Sequence, residues 1–167
     1  MAEVIHKTNE WRSYKPSKSG AGAASKLQVK VIEGGPKGRQ IQSFWVAAKQ
    51  DGKDENDQFA KFSWDQKEVA KNVVLKLGEN DIGDILSVIN RQKDKCELYH
   101  QNPNGSTTFQ FNRIVNDAKA VSYSVRLAKK GKDGVLVEVK HGLTVGEVEI
   151  LRILLADIVR LDYGWQQ

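Results

Sequence analysis

Hydrophobic residues in the first half of the chain recur mainly at every second position, which is the spacing of a β-strand with one buried face. Residues 27–31 show this alternation, the glycine-rich stretch 34–38 predicts a hairpin turn, and residues 41–49 run back as the second strand of the hairpin. Two further strands are predicted over 58–64 and 69–77. The first half of the chain therefore predicts a group of four strands.

The spacing changes near residue 80. Ile82, Ile85 and Ile89 lie at helical intervals, and acidic residues cluster where this short helix would begin. The chain then returns to strands, with an Asn-Pro-Asn-Gly turn signal at 102–105. The strands predicted in the second half span 96–100, 107–114, 121–127 and 135–139.

A final helix is predicted from Thr144, because a threonine followed three residues later by Glu147 can form a capping box, and Gly164 favours its end. Its apolar residues are Val148, Leu151, Leu155 and Ile158 on one stripe, widened by Ile150, Ile153, Leu154, Val159 and Leu161. A stripe this wide exceeds what one sheet face covers, so we expect contact with another copy of the chain. The predicted oligomer interface comprises Leu151, Leu154, Leu155, Ile158 and Trp165.

The order of elements predicts an α+β fold in which strands and helices segregate. Two four-stranded antiparallel sheets, each followed by a helix, give the pattern ββββα-ββββα. Residues 1–25 contain several cations and few large apolar groups, so they are interpreted as a flexible basic arm, either a tether for phosphates or an ordinary tail. Residues 26–167 form the predicted domain.

Composition narrows the class of protein. The chain has 167 residues, enough for one domain, with 26 lysines and arginines against 21 acidic residues and a net charge of +5, which favours an anionic partner. The single cysteine, Cys96, excludes an intrachain disulfide and a cysteine-based zinc site. No apolar run is long enough to span a membrane, and no secretory signal is evident. We expect an intracellular protein of the cytoplasm or nucleoid, or of an organelle if a transit peptide has been removed.

Catalytic chemistry has no convincing candidate in the sequence. His6, His100 and His141 fall in the tail, a strand and a turn, without metal-ligand spacing to one another or to acidic residues. Cys96 and His100 would lie too far apart on one strand for proton transfer. We therefore expect no enzyme, no catalytic residue, no cofactor and no metal.

Aromatic and basic residues are interleaved along the predicted strands, and this mixture suits single-stranded nucleic acid, whose bases stack and whose phosphates need cations. Residues 59–64 carry aromatic side chains on both faces of one predicted strand, and only one face can belong to the core. The alternative is that the aromatics are core residues and the cations a solvated face. The predicted nucleic-acid-binding residues are Lys26, Lys30, Trp45, Phe59, Lys61, Phe62, Trp64, Lys67, Tyr123 and Arg126.

Four short segments carry a family resemblance. They are 62–69 (Phe-Ser-Trp-Asp-Gln-Lys-Glu-Val), 81–83 (Asp-Ile-Gly), 96–103 (Cys-Glu-Leu-Tyr-His-Gln-Asn-Pro) and 164–165 (Gly-Trp). In order and approximate spacing they resemble the Whirly single-stranded-DNA-binding proteins of plant organelles, which read roughly Tyr-Asp-Trp-Ser-Arg-Lys-Gln-Val, Glu-Ile-Gly, Cys-Glu-Phe-Phe-His-Asp-Pro and Gly-Trp. The third segment is the most specific. The family's Lys-Gly-Lys/Asn-Ala-Ala-Leu-Ser strand is matched only loosely, by residues 18–27.

The resemblance implies two roughly perpendicular four-stranded sheets, helices packed between the subunits of a tetramer, and DNA lying across the sheets near their edges. The positive-cofactor-four fold and the mitochondrial guide-RNA-binding proteins share this architecture. We therefore expect a sequence-tolerant single-stranded-DNA-binding oligomer, a tetramer as in the family, that serves replication, repair or recombination. The alternatives are an RNA-binding or annealing protein, a transcription cofactor, and a structural oligomer whose basic arm binds an acidic protein.

Overall fold

The computed structural model describes residues 5–35, 38–52, 61–62, 64 and 71–163. Strands β1 to β4 span Ile5–Lys15, Ala23–Gly35, Gly38–Lys49 and Asn72–Leu77, and helix α1 spans Glu79–Ile89. Strands β5 to β8 span Lys95–Asn102, Gly105–Val115, Val121–Gly131 and Leu136–Leu143, and helix α2 spans Val145–Asp162. The predicted order ββββα-ββββα is confirmed.

The strands form two antiparallel sheets in which each strand pairs with its neighbour in sequence. Sheet 1 contains β1 to β4, and sheet 2 contains β5 to β8. The predicted turn at 102–105 joins β5 to β6, with Asn102 paired to Gly105. Gly105 has a φ of +143°, and a Cβ at this position would lie 2.1 Å from the carbonyl oxygen of Lys130, so the tight turn requires glycine.

The first strand of sheet 1 corrects the predicted domain boundary. Residues 5–15, assigned to a flexible arm, pair with β2 from Ile5↔Glu33 to Lys15↔Ala23. The composition was misleading because only one face of this edge strand packs on the core: Ser13 is buried and Trp11 is half-buried, while Arg12 between them is exposed.

The described strands of sheet 1 do not include the strand predicted at 58–64, most of which is outside the described part of the chain. Residues 53–60 and 63 lie outside the described residues, and Phe62 makes a single antiparallel bridge to Gln50. Among the described residues, sheet 1 therefore has the four strands expected, with β1 as its first member.

One hydrophobic core joins the two sheets and the two helices. The ring of Trp45, on β3, lies 5.1 Å from that of Phe109 and 6.4 Å from that of Phe111, both on β6. The Trp45 indole N–H donates to Ser25 Oγ at 3.1 Å, which satisfies its only polar atom. The inner faces of the two sheets therefore pack directly against each other.

The predicted capping box begins α2. The Glu147 backbone N–H donates to Thr144 Oγ1 at 3.2 Å, and the Thr144 backbone N–H donates to Glu147 Oε2 at 2.8 Å. The same carboxylate also accepts from Ser13 Oγ at 2.7 Å and Lys15 Nζ at 2.8 Å. Glu147 thus ties the start of α2 to strand β1.

Helix α2 buries in its own chain three residues that were predicted to contact another copy. Leu151, Leu155 and Ile158 are buried in the core of their own chain, so assigning them to an oligomer interface was wrong. Their spacing alone cannot distinguish an intrachain from an intersubunit contact. Leu154 is half-buried, and Trp165 lies outside the described residues. Neither described helix is long and apolar enough to cross a membrane.

Candidate nucleic-acid interface

Alternate residues of sheet 1 point away from the shared core, and the surface they form is called here the outer face of sheet 1. Two neighbouring cross-strand rows on this face are Glu10, Gln28, Phe44 and Lys76, and Arg12, Lys26, Val46 and Val74. Between them runs an inner row whose members Leu27, Trp45 and Leu75 are buried. The alternation of the strands therefore places three cations and an aromatic ring on one face, on which Arg12 and Lys76 are exposed, Lys26 and Phe44 are half-buried and Val46 is buried.

Three aromatic side chains meet on this face and are called here the aromatic group: Tyr14, Phe62 and Trp64. The ring of Tyr14 lies 5.5 Å from that of Phe62 and 6.2 Å from that of Trp64, and the last two are 6.4 Å apart. Tyr14 retains 43% of its surface exposed, and Phe62 and Trp64 are half-buried. These rings form a partly accessible platform on which bases could stack.

Basic side chains border the aromatic rings. Lys26 Nζ lies 5.2 Å from the centre of the Trp64 ring, and Lys30 Nζ lies 5.2 Å from that of Phe44. Lys61 is exposed and directly precedes Phe62 in the chain. Cations placed beside aromatic faces are the combination that single-stranded nucleic acids require.

Glu10 is the acidic group at the centre of this surface. Its carboxylate accepts from Arg12 Nε at 2.9 Å, Lys26 Nζ at 3.0 Å and Gln28 Nε2 at 2.8 Å. Partial burial raises the pKa of Glu10, but hydrogen bonds from Arg12 and Lys26 outweigh it and lower that pKa to about 2. The carboxylate therefore stays ionised at neutral pH and compensates two cations.

Arg126 lies on the other sheet. It projects from the outer side of β7, where it donates to Gln110 Oε1 at 3.3 Å and pairs with Glu138. The hydrogen bond with Glu138 raises the pKa of Arg126 and lowers that of Glu138. The structure therefore places Arg126 on sheet 2 and not on the outer face of sheet 1, where Lys26 and Lys30 lie.

Two predicted stacking residues belong to the core. Trp45 is fully buried, and Tyr123 is 5% exposed and packs with its ring 5.7 Å from that of Phe111. Their assignment as platforms for bases was wrong, because strand alternation does not reveal which face is covered. Phe59 and Lys67 lie outside the described residues. Lys26, Phe62 and Trp64 lie together on the outer face of sheet 1, Lys30 lies on the same face beside Phe44, and the exposed Lys61 directly precedes Phe62.

The sequence interpretation missed Glu10, Arg12, Tyr14 and Phe44. The first three belong to the segment assigned to a basic arm. Their signal was present as alternation, since Glu10, Arg12 and Tyr14 occupy every second position around Trp11. Recognising that strand would have placed them beside Lys26.

His141 and Cys96, considered above for catalysis or metal binding, are both buried in the folded chain. His141 lies within β8 rather than in the predicted turn, is buried, and has Nε2 2.6 Å from Ser25 Oγ. Burial raises the pKa of the Cys96 thiol to about 11, which disfavours the reactive thiolate. Within the described part of the chain, no three histidine, cysteine or acidic side chains are grouped so as to hold a metal ion.

Comparisons with known proteins identify the fold. No protein-family model matches the sequence, and no curated protein matches it. The crystal structures of Trypanosoma brucei MRP1/MRP2 superpose with a TM-score of 0.56 at 11% sequence identity, over 95% of this chain and 97% of the matched chain. At this identity the similarity establishes the shared architecture of two four-stranded sheets, each followed by a helix.

Proposed function

We propose that this chain binds single-stranded nucleic acid, in particular DNA with little sequence preference, across the outer face of sheet 1. The observation that carries the proposal is the aromatic group with Lys26, 5.2 Å from the Trp64 ring, at its border. Unpaired bases expose flat faces that can stack on such rings, whereas a duplex keeps those faces internal. Each stacked base is worth about 1–3 kcal/mol, and the lysines add a contribution that depends on salt.

The proposed protein acts as an oligomer, with a tetramer as the expected state. Ile150 and Ile153 on α2 are 53% and 48% exposed, and the half-buried Leu154 and Leu161 continue the same side of the helix. Apolar side chains at these intervals suit helix-to-helix packing between copies. Several binding faces on one particle would then engage one strand and raise the overall affinity.

A tryptophan-fluorescence titration tests the proposed function. Single-stranded oligothymidylate should change the emission of Trp64 and bind more tightly than a duplex of equal length, with an affinity that falls as salt rises. In a Trp64→Phe variant the emission change should be largely lost while binding is retained, because phenylalanine keeps a ring for stacking. Equal affinity for duplex and single strand would contradict the proposal.

RNA is the second candidate ligand. The sequence resemblance extends to an architecture shared with guide-RNA-binding proteins, and stacking on the aromatic group does not itself distinguish ribose from deoxyribose. Competition between DNA and RNA strands of matched sequence at fixed salt separates the two candidates. We expect DNA to compete at least as well as RNA.

Participation in replication, repair, recombination or transcription would follow from this binding, and we propose DNA metabolism as the setting. A protein that protects exposed strands needs no catalytic group. We accordingly propose a non-enzymatic role.

A further inference from the structure

Two cations face each other directly on the outer face of sheet 1. Arg12 on β1 is paired in register with Lys26 on β2, and the next outward-facing pair is Glu10 with Gln28. Like charges directly opposite each other on neighbouring strands are destabilising. An anion placed between them removes the repulsion.

Glu10 supplies that anion from within the chain. Its Oε2 accepts from Arg12 Nε at 2.9 Å, and its Oε1 accepts from Lys26 Nζ at 3.0 Å and from Gln28 Nε2 at 2.8 Å. Three different side chains from two strands thus donate to one carboxylate. A guanidinium, an ammonium and an amide are also the groups that bind phosphate oxygens.

The site is exposed to solvent at Arg12 and touches the aromatic group. The Arg12 side chain is 48% exposed, while those of Lys26 and Glu10 are 13% and 18% exposed. Arg12 Nη1 donates to Tyr14 Oη at 3.1 Å, and Lys26 Nζ lies 5.2 Å from the Trp64 ring centre. A ligand that stacks on this face of Trp64 must therefore shift the ammonium that Glu10 holds.

We propose that Glu10 is an internal competitor for the ligand: it fills a phosphate-binding site formed by Arg12, Lys26 and Gln28, and a backbone phosphate displaces it. This inference rests on the proposed function and deepens it. On binding, the phosphate takes over the donors and the carboxylate turns to solvent. The exchange moves Lys26 off the Trp64 ring, so phosphate binding and base stacking occur together.

The first test compares Glu10→Gln with the wild type for binding of single-stranded oligothymidylate. The variant should bind about fivefold more tightly at low salt, the equivalent of one partly exposed ion pair. Its salt slope should equal that of the wild type, because the phosphate contacts Arg12 and Lys26 in both complexes and only the competing carboxylate is removed. Glu33→Gln is the matched control, because Glu33 also lies on sheet 1 and pairs with an arginine, Arg39. It removes the same charge and should change affinity much less.

A double variant shows whether the increase in affinity for the strand depends on the proposed phosphate site. Adding Lys26→Met to Glu10→Gln should abolish most of the increase in affinity. Unchanged or weaker binding by Glu10→Gln would overturn the proposal, because Glu10 would then only position the cations. If the wild type still binds the strand in that case, the proposed function stands without the competitor.

The second test needs no nucleic acid. Inorganic tripolyphosphate is titrated into both proteins while the Nε–H signal of Arg12 is followed by NMR. Tighter binding by Glu10→Gln supports the phosphate site even if neither protein binds DNA, an outcome that would overturn only the proposed function. Equal or absent binding of tripolyphosphate by the two proteins would overturn the phosphate site.

Discussion

The imidazole of His141 is held between two hydrogen bonds that fix its protonation. Nδ1 lies 3.0 Å from the carbonyl oxygen of Gly142, which can only accept, so Nδ1 carries the proton. Nε2 then accepts from Ser25 Oγ, whose oxygen accepts from the Trp45 indole. Burial is the largest effect and lowers the pKa of His141, and the positive charge of Lys15 lowers it further. The hydrogen bond with Gly142 and the negative charge of Glu147 raise the pKa, but the net shift is downward.

This network predicts a loss of stability in weak acid. Because the folded-state pKa of His141 is below the unfolded value near 6.5, its contribution is complete above that pH and is lost as pH falls below it. The free energy of unfolding should therefore decrease from about pH 7 to pH 5. His141→Gln should flatten this dependence in urea titrations. An unchanged pH profile in the variant would show that His141 does not carry the effect.

Lys61 offers a residue-scale test of the binding surface. It is exposed beside Phe62, so Lys61→Ala should weaken binding of single strands and reduce the salt slope by about 0.7, the loss of one phosphate contact. Lys95→Ala, at an exposed lysine on sheet 2, is the control and should leave the slope unchanged. Equal effects of the two variants would remove Lys61 from the binding surface.

At the scale of elements, Glu147 joins helix α2 to strand β1 and caps the helix. Glu147→Ala should lower the free energy of unfolding by about 2 kcal/mol, since it removes a cap and bonds from Ser13 and Lys15. Glu149→Ala, two residues further along, removes only an exposed pair with Arg152 and should change the free energy of unfolding much less than Glu147→Ala does. Chemical denaturation of both variants measures the difference.

Glu147 should also make the free energy of unfolding depend on pH in a second, more acidic range. Partial burial raises the pKa of Glu147, but hydrogen bonds from Lys15 and Ser13 lower it to about 2. Its stabilisation is therefore present above the unfolded pKa near 4.3 and is lost as pH falls towards 2. The gap between the wild type and Glu147→Ala should shrink over that range. A constant gap would mean that the charge of Glu147 contributes nothing.

The elements that the sequence predicts well are those whose signals are local. The capping box of Thr144 and Glu147 predicts the start of the final helix. The residues of the 102–105 turn predict the hairpin that it closes. Strand β1 was missed because its stability comes from pairing with β2, which lies across an intervening polar turn. The buried position of Trp45 depends on Phe109 of the other sheet, a contact that no local pattern contains.

At the scale of the whole molecule, we expect copies of the chain to associate through the exposed apolar residues of α2. Ile153→Glu should convert the proposed oligomer into a folded monomer, because Ile153 is 48% exposed and its replacement leaves the chain's own core intact. Val135→Glu, at a residue that is 57% exposed outside α2, should leave the assembly unchanged. Sedimentation velocity measures both. A wild-type protein that is already monomeric would contradict the association.

The two sheets give the molecule two outer faces, and we propose that unpaired nucleic acid binds the one on sheet 1. Ultraviolet cross-linking to an oligothymidylate, followed by mass spectrometry of the linked peptides, distinguishes them directly. Tyr99 on sheet 2 is 62% exposed and serves as an internal comparison. We predict cross-links at Tyr14, Phe62 or Trp64 that disappear with an excess of unlabelled strand. Cross-links confined to Tyr99 and its neighbours would contradict the account.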